Sequence, residues 1–390
     1  MKIVISIDSF KGSLTSMEAG EAFRDGSIKA ARDADVVVKP LADGGEGTAE
    51  ALVEGMGGVW IHTEVSGPQK ERREVSYGWF PKKRLAVMEM AAAAGLTLLP
   101  EGERNALYTT TYGVGEMIRD ALERGARQFI LGIGGSATDD CGLGMMTALG
   151  IKFLDAGGKE AGITGEDTGR VRKIDCSGLI PQLRECRFQV ACDVTNVLCG
   201  PQGATYVYGP QKGIPSDQLS FMDDCHKNFA RCTEEAVGED FSGCPGAGAA
   251  GGLGFALMAF LGAELLPGAE LVIQTLGIEK EIAGADLVIT GEGRIDGQTF
   301  MGKGPMELAR LARKYHVPVI GIGGSITKEA ERAAEPEMDA LFSVLREPMT
   351  LKEAMEPERA KENLRRTGEQ IVRMVRTFES GSRRRSEIME

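Results

Sequence analysis

Short apolar runs alternate with helix-like segments at both ends of the chain. Five such runs predict strands: Lys2–Ile7, Val36–Val38, Asp286–Ile289, Val317–Ile322 and Ala340–Val344. Between the first two, Thr15 and Glu18 form a capping-box pattern that begins a helix reaching Ala31. A long amphipathic helix is predicted from about Leu351. Alternation of strand, loop and helix is typical of a parallel sheet covered by helices.

The middle of the chain has a different pattern. The runs Val59–Val65, Glu71–Phe80 and Leu85–Met90 read as strands joined by turns with little helix between them, which indicates an antiparallel or mixed sheet. A helix near Gly113–Glu123 and two further strands are predicted after them, at Gln128–Ile133 and Phe188–Ala191.

The two patterns together predict an α/β protein in which one domain interrupts another. We expect residues 1–65 and 270–380 to form a discontinuous α/β domain with a doubly wound, mostly parallel sheet of the Rossmann or flavodoxin type. Residues 66–269 would be an inserted α/β domain of mixed sheet, although the strand–loop–helix at 127–150 fits either. Residues 381–390 are predicted to be a frayed tail.

Composition and charge narrow the function classes. The formal net charge of −12 disfavours nucleic acid as a partner, since phosphate backbones need a basic surface. Eight cysteines lack any CxxC pair, and no leader-like or membrane-length apolar run is present in the sequence. We therefore expect reduced thiols, no zinc site, no membrane association and a cytoplasmic location.

Glycine is unusually abundant, at 53 of 390 residues, and it clusters with acidic residues after predicted strands. Five such loops occur, at Asp8, Asp43, Gly134, Asp193 and Gly291. Ligands of open α/β sheets bind beyond the carboxyl ends of strands, so these loops are expected to converge. Glycines let backbone N–H groups approach phosphate, and interspersed carboxylates can hold Mg²⁺.

Two familiar nucleotide patterns fit poorly. Gly246–Gly251 matches GxGxxG but follows Pro245 rather than a strand, so we read it as a loop that caps a helix near Leu253. Gly297–Lys303 matches GxxxxGK without the Ser or Thr that would bind magnesium. The three histidines lie outside every glycine-rich loop, which leaves general-base work to carboxylates. The segment Ala91–Ala94 is read as close-packed structure that could also line a substrate wall.

Five spaced motifs resemble those of the bacterial glycerate kinase family, in the family's order, over roughly residues 1 to 375. They are Asp8–Gly12, Ala42–Thr48, Gly134–Thr138 with Asp140, Cys192–Asn196 with Gly203 and Ala204, and Gly291–Asp296 with Gln298 and Thr299. One departure is Cys141, where a doubled glycine is expected. The resemblance implies two α/β domains with the active cleft between them, ATP and Mg²⁺ as cofactors, and 2-phosphoglycerate as the usual product.

For a phosphoryl transfer of this kind we hypothesise that Asp193 or Asp296 accepts the proton of the glycerate hydroxyl, while the other, with Asp43 or Glu292, helps to hold Mg²⁺. Lys11 and Arg294 are the candidate cations for phosphates and for the glycerate carboxylate. The remaining candidates for substrate and phosphate binding are Ser9, Gly44, Gly45, Thr48, Gly134, Gly135, Ser136, Thr138, Asn196, Gln298, Thr299 and Lys303.

Two other classes of function use the same features. A Mg-dependent phosphatase or other hydrolase acting on a small phosphorylated acid would need the acidic, glycine-rich loops but no nucleotide. A non-catalytic sensor of organic acids is disfavoured by the many carboxylates, which have little use in an anion binder without a metal. The residues leave open the regiochemistry, the enantiomer of glycerate and the choice between monomer and homodimer.

Overall fold

The computed structural model describes residues 1–297, 299, 304–334 and 337–389, with side chains to residue 378. The chain forms two compact units. Unit 1 comprises Met1–Asp43, Glu50–Met56 and Ala269–Glu390, and unit 2 comprises Gly44–Ala49 and Gly57–Gly268. The predicted strand Val59–Val65 and the predicted strand–loop–helix at 127–150 both belong to unit 2.

The strands, in chain order, are β1 Lys2–Ile7, β2 Asp35–Val38, β3 Val59–Ser66, β4 Arg72–Phe80, β5 Leu85–Glu89, β6 Gln128–Gly132, β7 Lys152–Leu154, β8 Lys173–Asp175, β9 Arg187–Ala191, β10 Glu264–Leu266, β11 Leu287–Ile295, β12 Val319–Ile326 and β13 Ala340–Ser343.

The α-helices are α1 Ser16–Ala30, α2 Thr48–Met56, α3 Ala91–Ala94, α4 Tyr112–Glu123, α5 Leu143–Ala148, α6 Ala204–Tyr208, α7 Leu219–Val237, α8 Ala249–Leu261, α9 Gly268–Leu276, α10 Ile278–Ile282, α11 Gly304–Lys314, α12 Lys328–Ala334, α13 Leu351–Ala354 and α14 Pro357–Met389. No helix in the described ranges combines the length and the apolar character that crossing a membrane requires.

Unit 1 is built on a five-stranded sheet in the order β13-β12-β11-β1-β2, with every neighbouring pair parallel. The chain moves outward from β1 to β2 on one side and from β11 to β13 on the other, so the strand order reverses between β1 and β11. In open parallel sheets such a reversal is where ligands bind, beyond the carboxyl ends of the strands. The predicted α/β class is therefore confirmed, and the sheet positions the ends of β1 and β11 next to each other.

Local sequence explains how the first strand and helix of unit 1 are joined. Alternate residues of β1 enter an apolar core with Phe23 of α1 and Leu364 of α14. Thr15 caps α1 by accepting a hydrogen bond from the Glu18 amide, and the Glu18 carboxylate accepts one from the Thr15 amide, which confirms the predicted capping box.

Unit 2 contains a mixed six-stranded sheet in the order β10-β9-β6-β5-β4-β3. The hairpin pairs β3–β4 and β4–β5 are antiparallel, whereas β5, β6, β9 and β10 run parallel, as the change of pattern in the sequence predicted. The rings of Phe129 on β6 and Phe188 on β9 stack with centroids 4.6 Å apart in its core. A separate two-stranded sheet joins β7 and β8.

Two predicted boundaries in unit 1 were wrong. Strand β11 was expected to end at Ile289, but it pairs with β12 as far as Ile295, so Gly291, Glu292 and Arg294 lie in a strand and not in a loop. The pairing needs glycine, because a Cβ at Gly291 would lie 1.9 Å from the Ile322 carbonyl oxygen. The helix expected from Leu351 is instead the short α13, and α14 begins at Pro357 and continues through the predicted tail to Met389.

Candidate functional site

Two carboxylates act on a third, Asp8, at the reversal of the unit 1 sheet. Asp8 directly follows β1 and is buried, while Asp43 lies in the segment after β2 and Glu292 lies in β11. Burial is the main cause that raises the pKa of Asp8 to about 7, and the negative charges of Asp43 and Glu292 raise it further. A hydrogen bond of 2.6 Å from the Ser9 amide to Asp8 Oδ1 and the charge of Lys11 act in the opposite direction.

The other unit 1 candidates form a hydrogen-bonded group at the end of β11. Thr299 is fully buried, and its hydroxyl donates to Glu292 Oε1 at 2.6 Å while accepting from the Asp296 amide at 3.0 Å. The exposed guanidinium of Arg294 lies 3.3 Å from Asp296 Oδ2. Thr299 therefore holds the carboxylate of Glu292 and the backbone of Asp296, and Arg294 forms an ion pair with the Asp296 carboxylate.

Unit 2 contains a cavity of about 240 Å³ at the carboxyl ends of β5 and β6. Its lining is mostly glycine and alanine with two carboxylates: Gly44, Gly45, Glu46, Glu89, Ala91, Ala92, Thr97, Gly132, Gly134 and Gly135. Four predicted glycines are thus brought together, and Ala91 and Ala92 of the Ala91–Ala94 segment line the wall of this cavity. Glu89 Oε1 accepts a 2.9 Å hydrogen bond from the Ala49 amide near the start of α2.

Gly44 shows why small residues are needed at this cavity. Its φ is +86°, and an added Cβ would lie 2.7 Å from Gly268 Cα and 3.0 Å from Ala191 Cβ. A left-handed backbone and so close an approach exclude every residue with a side chain unless the surroundings move. The backbone itself forms this part of the cavity wall.

The segment from Gly134 to Thr138, here called the glycine-rich loop, has an outer and an inner side. Gly134 and Gly135 are exposed and line the cavity, whereas Ser136 and Thr138 are buried. On the inner side Lys212 Nζ donates to Ser136 Oγ at 2.8 Å and to the Thr138 carbonyl at 2.7 Å. The Thr138 hydroxyl is thus placed inside unit 2 and away from its surface.

The residues that follow the loop are held from behind by a second glycine-rich segment. The Cys141 amide donates to the Gly251 carbonyl, and a Cβ on Gly251 would lie 2.0 Å from the Thr138 carbonyl oxygen. Cys141 itself adopts a φ of +50°, a region that favours glycine, at the position where the sequence departs from the family pattern. The GxGxxG match thus serves close packing of two backbones.

His226 also packs behind the glycine-rich loop, although it lies far from this loop in the sequence. Its Nε2 lies 2.9 Å from the Asp139 carbonyl oxygen, and its Nδ1 lies 3.3 Å from the hydroxyl of Thr205, which in turn donates to Asp139 Oδ2 at 2.7 Å. All three side chains are fully buried. The histidine therefore supports the loop from the interior of unit 2.

Three further candidates use polar atoms in hydrogen bonds within unit 2. Asn196 donates from Nδ2 to the Gln202 carbonyl and accepts at Oδ1 from the Tyr208 hydroxyl. The buried Thr48 hydroxyl donates to the Gly45 carbonyl at 2.7 Å. Asp193, exposed after β9, accepts at Oδ1 from the Gly268 amide at 2.8 Å. Only the carboxylate of Asp193 is exposed among these side chains.

Two candidates, Gln298 and Lys303, lie outside the described residues. Sequence reasoning did not select Asp8, Glu89 or Lys212 as site residues. Asp8 begins a recognised motif and Glu89 ends a predicted strand, so position alone could have indicated both. Lys212 carries no such signal, because 74 residues separate it from its partner Thr138.

Comparisons with known proteins identify the family of this chain. The model of the glycerate kinase family matches residues 3–376. A glycerate kinase of Bacillus subtilis is 46% identical over 96% of this chain and 98% of its own length, and a glycerate 2-kinase of Escherichia coli is 48% identical over 91% and 93%. A crystal structure provisionally named glycerate kinase 2, from Salmonella typhimurium LT2, superposes with a TM-score of 0.90 at 44% identity, covering 97% of this chain and 99% of that one. This chain belongs to the glycerate kinase family.

Proposed function

We propose that the protein transfers the γ-phosphoryl group of ATP to a hydroxyl of glycerate, with D-glycerate as acceptor and 2-phosphoglycerate as product. The observation that carries the proposal is the placement of all five family motifs at or just beyond the carboxyl ends of parallel strands. In unit 1, Asp8 follows β1, Asp43 lies after β2 and Glu292 lies near the end of β11; in unit 2, Gly134 follows β6 and Asp193 follows β9. Strand ends of this kind carry ligands in α/β proteins.

The candidate residues would serve different parts of the chemistry. In unit 2 the exposed amides of Gly134 and Gly135, beside a cavity without bulky side chains, suit the oxygens of a phosphate. Lys11 would neutralise phosphate charge, and the planar fork of Arg294 suits both oxygens of the glycerate carboxylate.

The reaction itself needs one base. Asp193 or Asp296 would take the proton of the attacking hydroxyl, whose oxygen then bonds to the γ-phosphorus as the bond to the β–γ bridging oxygen breaks and ADP leaves. The exposed Asp193 carboxylate accepts a hydrogen bond from the Gly268 amide, and the Asp296 carboxylate is paired with Arg294 while its backbone amide donates to the Thr299 hydroxyl. Both are oriented, as a positioned base requires, and Mg²⁺ ligation is the proposed role of the one that is not the base.

Magnesium fits the carboxylates of unit 1. Within the described ranges no group of three or more His, Cys, Asp or Glu side chains is arranged to hold a metal ion. Magnesium at phosphoryl-transfer sites is usually bound by only one or two carboxylates together with water and substrate phosphates. Asp43 and Glu292, whose charges raise the pKa of the neighbouring Asp8, are the proposed ligands. When bound there, Mg²⁺ would neutralise charge on the transferred phosphoryl group.

The test is a ³¹P NMR assay of the purified protein with Mg-ATP and D-glycerate. A 2-phosphoglycerate resonance that depends on ATP and on Mg²⁺ is expected. A 3-phosphoglycerate resonance would support the kinase activity and contradict the proposed product. Absence of transfer to either enantiomer would overturn the proposal. Release of phosphate from 2-phosphoglycerate without nucleotide would instead support the hydrolase.

We also propose that the protein works in a reducing compartment, the cytoplasm. All eight cysteines are free thiols, and Cys141, Cys225 and Cys232 are buried. Stable disulfides are usual in oxidising compartments. Labelling of a tagged protein in fractionated cells would show which compartment contains it.

A further inference from the structure

Lys212 is a buried cation directly beneath the glycine-rich loop. It ends a single turn of 3₁₀-helix, Pro210–Lys212, and only 3% of its surface is exposed. Its ammonium group donates to Ser136 Oγ at 2.8 Å and to the Thr138 carbonyl at 2.7 Å. Lysine is rarely buried to this extent without compensating partners, so its retention in the interior needs an explanation beyond packing.

Two buried carboxylates offset part of the free-energy cost of burying the Lys212 ammonium group. Burial lowers the pKa of Lys212, while the charges of Asp139 and Asp140 raise it. Asp140 accepts hydrogen bonds at one carboxylate from the amides of Thr111, Gly142 and Gly144 and from the Thr111 hydroxyl. Lys212, Asp139 and Asp140 together form a buried charged group. Within this group it is the lysine cation that donates hydrogen bonds to the glycine-rich loop, at Ser136 and Thr138.

The bond to Ser136 decides what its hydroxyl can do. An ammonium group only donates, so Ser136 Oγ must accept, and the serine proton remains available for a different acceptor. Ser136 donates no hydrogen bond to any residue in the described part of the chain. Its neighbour Gly135 lines the cavity, where an anionic oxygen bound to the loop amides would provide that acceptor.

The charges that line the cavity explain why an anion would need this arrangement. Two of its lining side chains, Glu46 and Glu89, are acidic, and none is basic. An anion that enters it therefore depends on backbone amides and on positive charge placed behind them. A charge-assisted hydrogen bond is roughly twice as strong as a neutral one, and the ammonium also polarises the serine hydroxyl that it contacts.

We infer that Lys212 is a positioning residue for substrate: it holds the glycine-rich loop and orients Ser136 so that the serine hydroxyl donates to an anionic oxygen. This inference rests on the proposed function, in which the anion is a phosphate of ATP or the carboxylate of glycerate. A lysine that merely stabilised the fold would affect unfolding without affecting either substrate.

The experiment compares Ser136→Ala, Lys212→Met, their double variant and Thr109→Val as matched control. Thr109 is buried and its hydroxyl donates to the Ala137 carbonyl of the same loop at 2.9 Å, so its valine variant loosens the loop without touching the cation. The measurements are kcat, the KM values for ATP and for glycerate, the Tm, and the Kd for ATP by calorimetry.

We expect Ser136→Ala and Lys212→Met each to raise the KM of the same substrate about tenfold or more, with no further rise in the double variant. A rise for ATP, matched by its Kd, assigns the oxygen to a phosphate, and a rise for glycerate assigns it to the carboxylate. Thr109→Val should lower the Tm and leave both KM values near those of the unmodified protein.

Unchanged KM values and Kd in Ser136→Ala would overturn the inference, and so would an equal rise in Thr109→Val. Should Lys212→Met fail to fold, comparing the KM values of Ser136→Ala with those of Thr109→Val still tests whether the serine hydroxyl binds substrate. Failure of the proposed function would look different, because the unmodified protein itself would then make no phosphoglycerate, while its ATP Kd would still report on Ser136.

Discussion

Thr299 donates a 2.6 Å hydrogen bond to the Glu292 carboxylate and accepts one from the backbone amide of Asp296, so a single buried hydroxyl holds one acidic side chain and the backbone of another acidic candidate. Thr299→Val removes the hydroxyl but keeps the shape, and Thr299→Ser keeps the hydroxyl. Loss of a hydrogen bond to a metal ligand typically costs about 10–100-fold in metal affinity. We expect the Mg²⁺ concentration for half-maximal rate to rise by about that factor in the valine variant only. Equal rises in both variants would point to packing instead.

The assignment of the base is tested by Asp193→Asn and Asp296→Asn, made separately. A positioned base contributes about 10²–10⁴-fold, so the variant that removes it should lose kcat by that factor. Asp155→Asn is the control, because Asp155 accepts its hydrogen bonds within a surface turn. Near-full turnover in both test variants would refute the assignment.

Arg294 is the candidate for the glycerate carboxylate. Arg294→Lys keeps the charge, which lies 3.3 Å from Asp296 in the native side chain, and loses the fork that binds two carboxylate oxygens. The expected result is a KM for glycerate raised about tenfold, with the KM for ATP unchanged. An unchanged glycerate KM in initial-rate measurements would exclude this role.

Asp8 makes stability depend on pH in a defined direction. Its pKa is raised to about 7 in the folded protein, chiefly by burial and then by Asp43, so the folded state holds a proton that the unfolded state releases near pH 4. Stability is therefore highest below pH 4 with respect to this group and is lost as the pH rises through 7. The full effect is of the order of 4 kcal/mol.

Asp8→Asn removes this titration. In urea unfolding with EDTA, the asparagine variant should lose less stability than the unmodified protein between pH 4.5 and 8. Asp33→Asn is a control of opposite sign, because hydrogen bonds from Arg376 lower the pKa of Asp33. Parallel pH profiles for Asp8→Asn and the unmodified protein would contradict the prediction.

Gly251 and Gly262 provide a matched pair for backbone packing. Both have left-handed φ values, +65° and +60°, but a Cβ on Gly251 would lie 2.0 Å from the Thr138 carbonyl oxygen, whereas one on Gly262 would meet nothing within 4 Å. Gly262→Ala should cost about 1 kcal/mol of strain, and Gly251→Ala should cost more than about 3 kcal/mol. Equal losses of unfolding free energy for the two variants, measured in urea, would mean that the glycine-rich loop moves easily to accommodate the added Cβ.

The sequence by itself determined the local elements of this protein. Strand β1 and the Thr15–Glu18 capping box occur as predicted, because a short strand and a helix start depend on residues within a few positions of each other. The motifs could also be assigned to strand ends, and their order was sufficient to indicate the family. These features depend on alternation, capping and turn chemistry, which neighbouring residues decide.

Only the tertiary structure decided which side chains face a ligand and which support the fold. Strand β11 runs through its motif because β12 pairs with it, and Thr48, Thr138 and Thr299 proved to be buried. Lys212 reaches Ser136 across 76 residues, and Asp8 acquires its raised pKa from burial and from Asp43 and Glu292. Burial and charge pairing depend on contacts between distant parts of the chain, and no local pattern of residues encodes them.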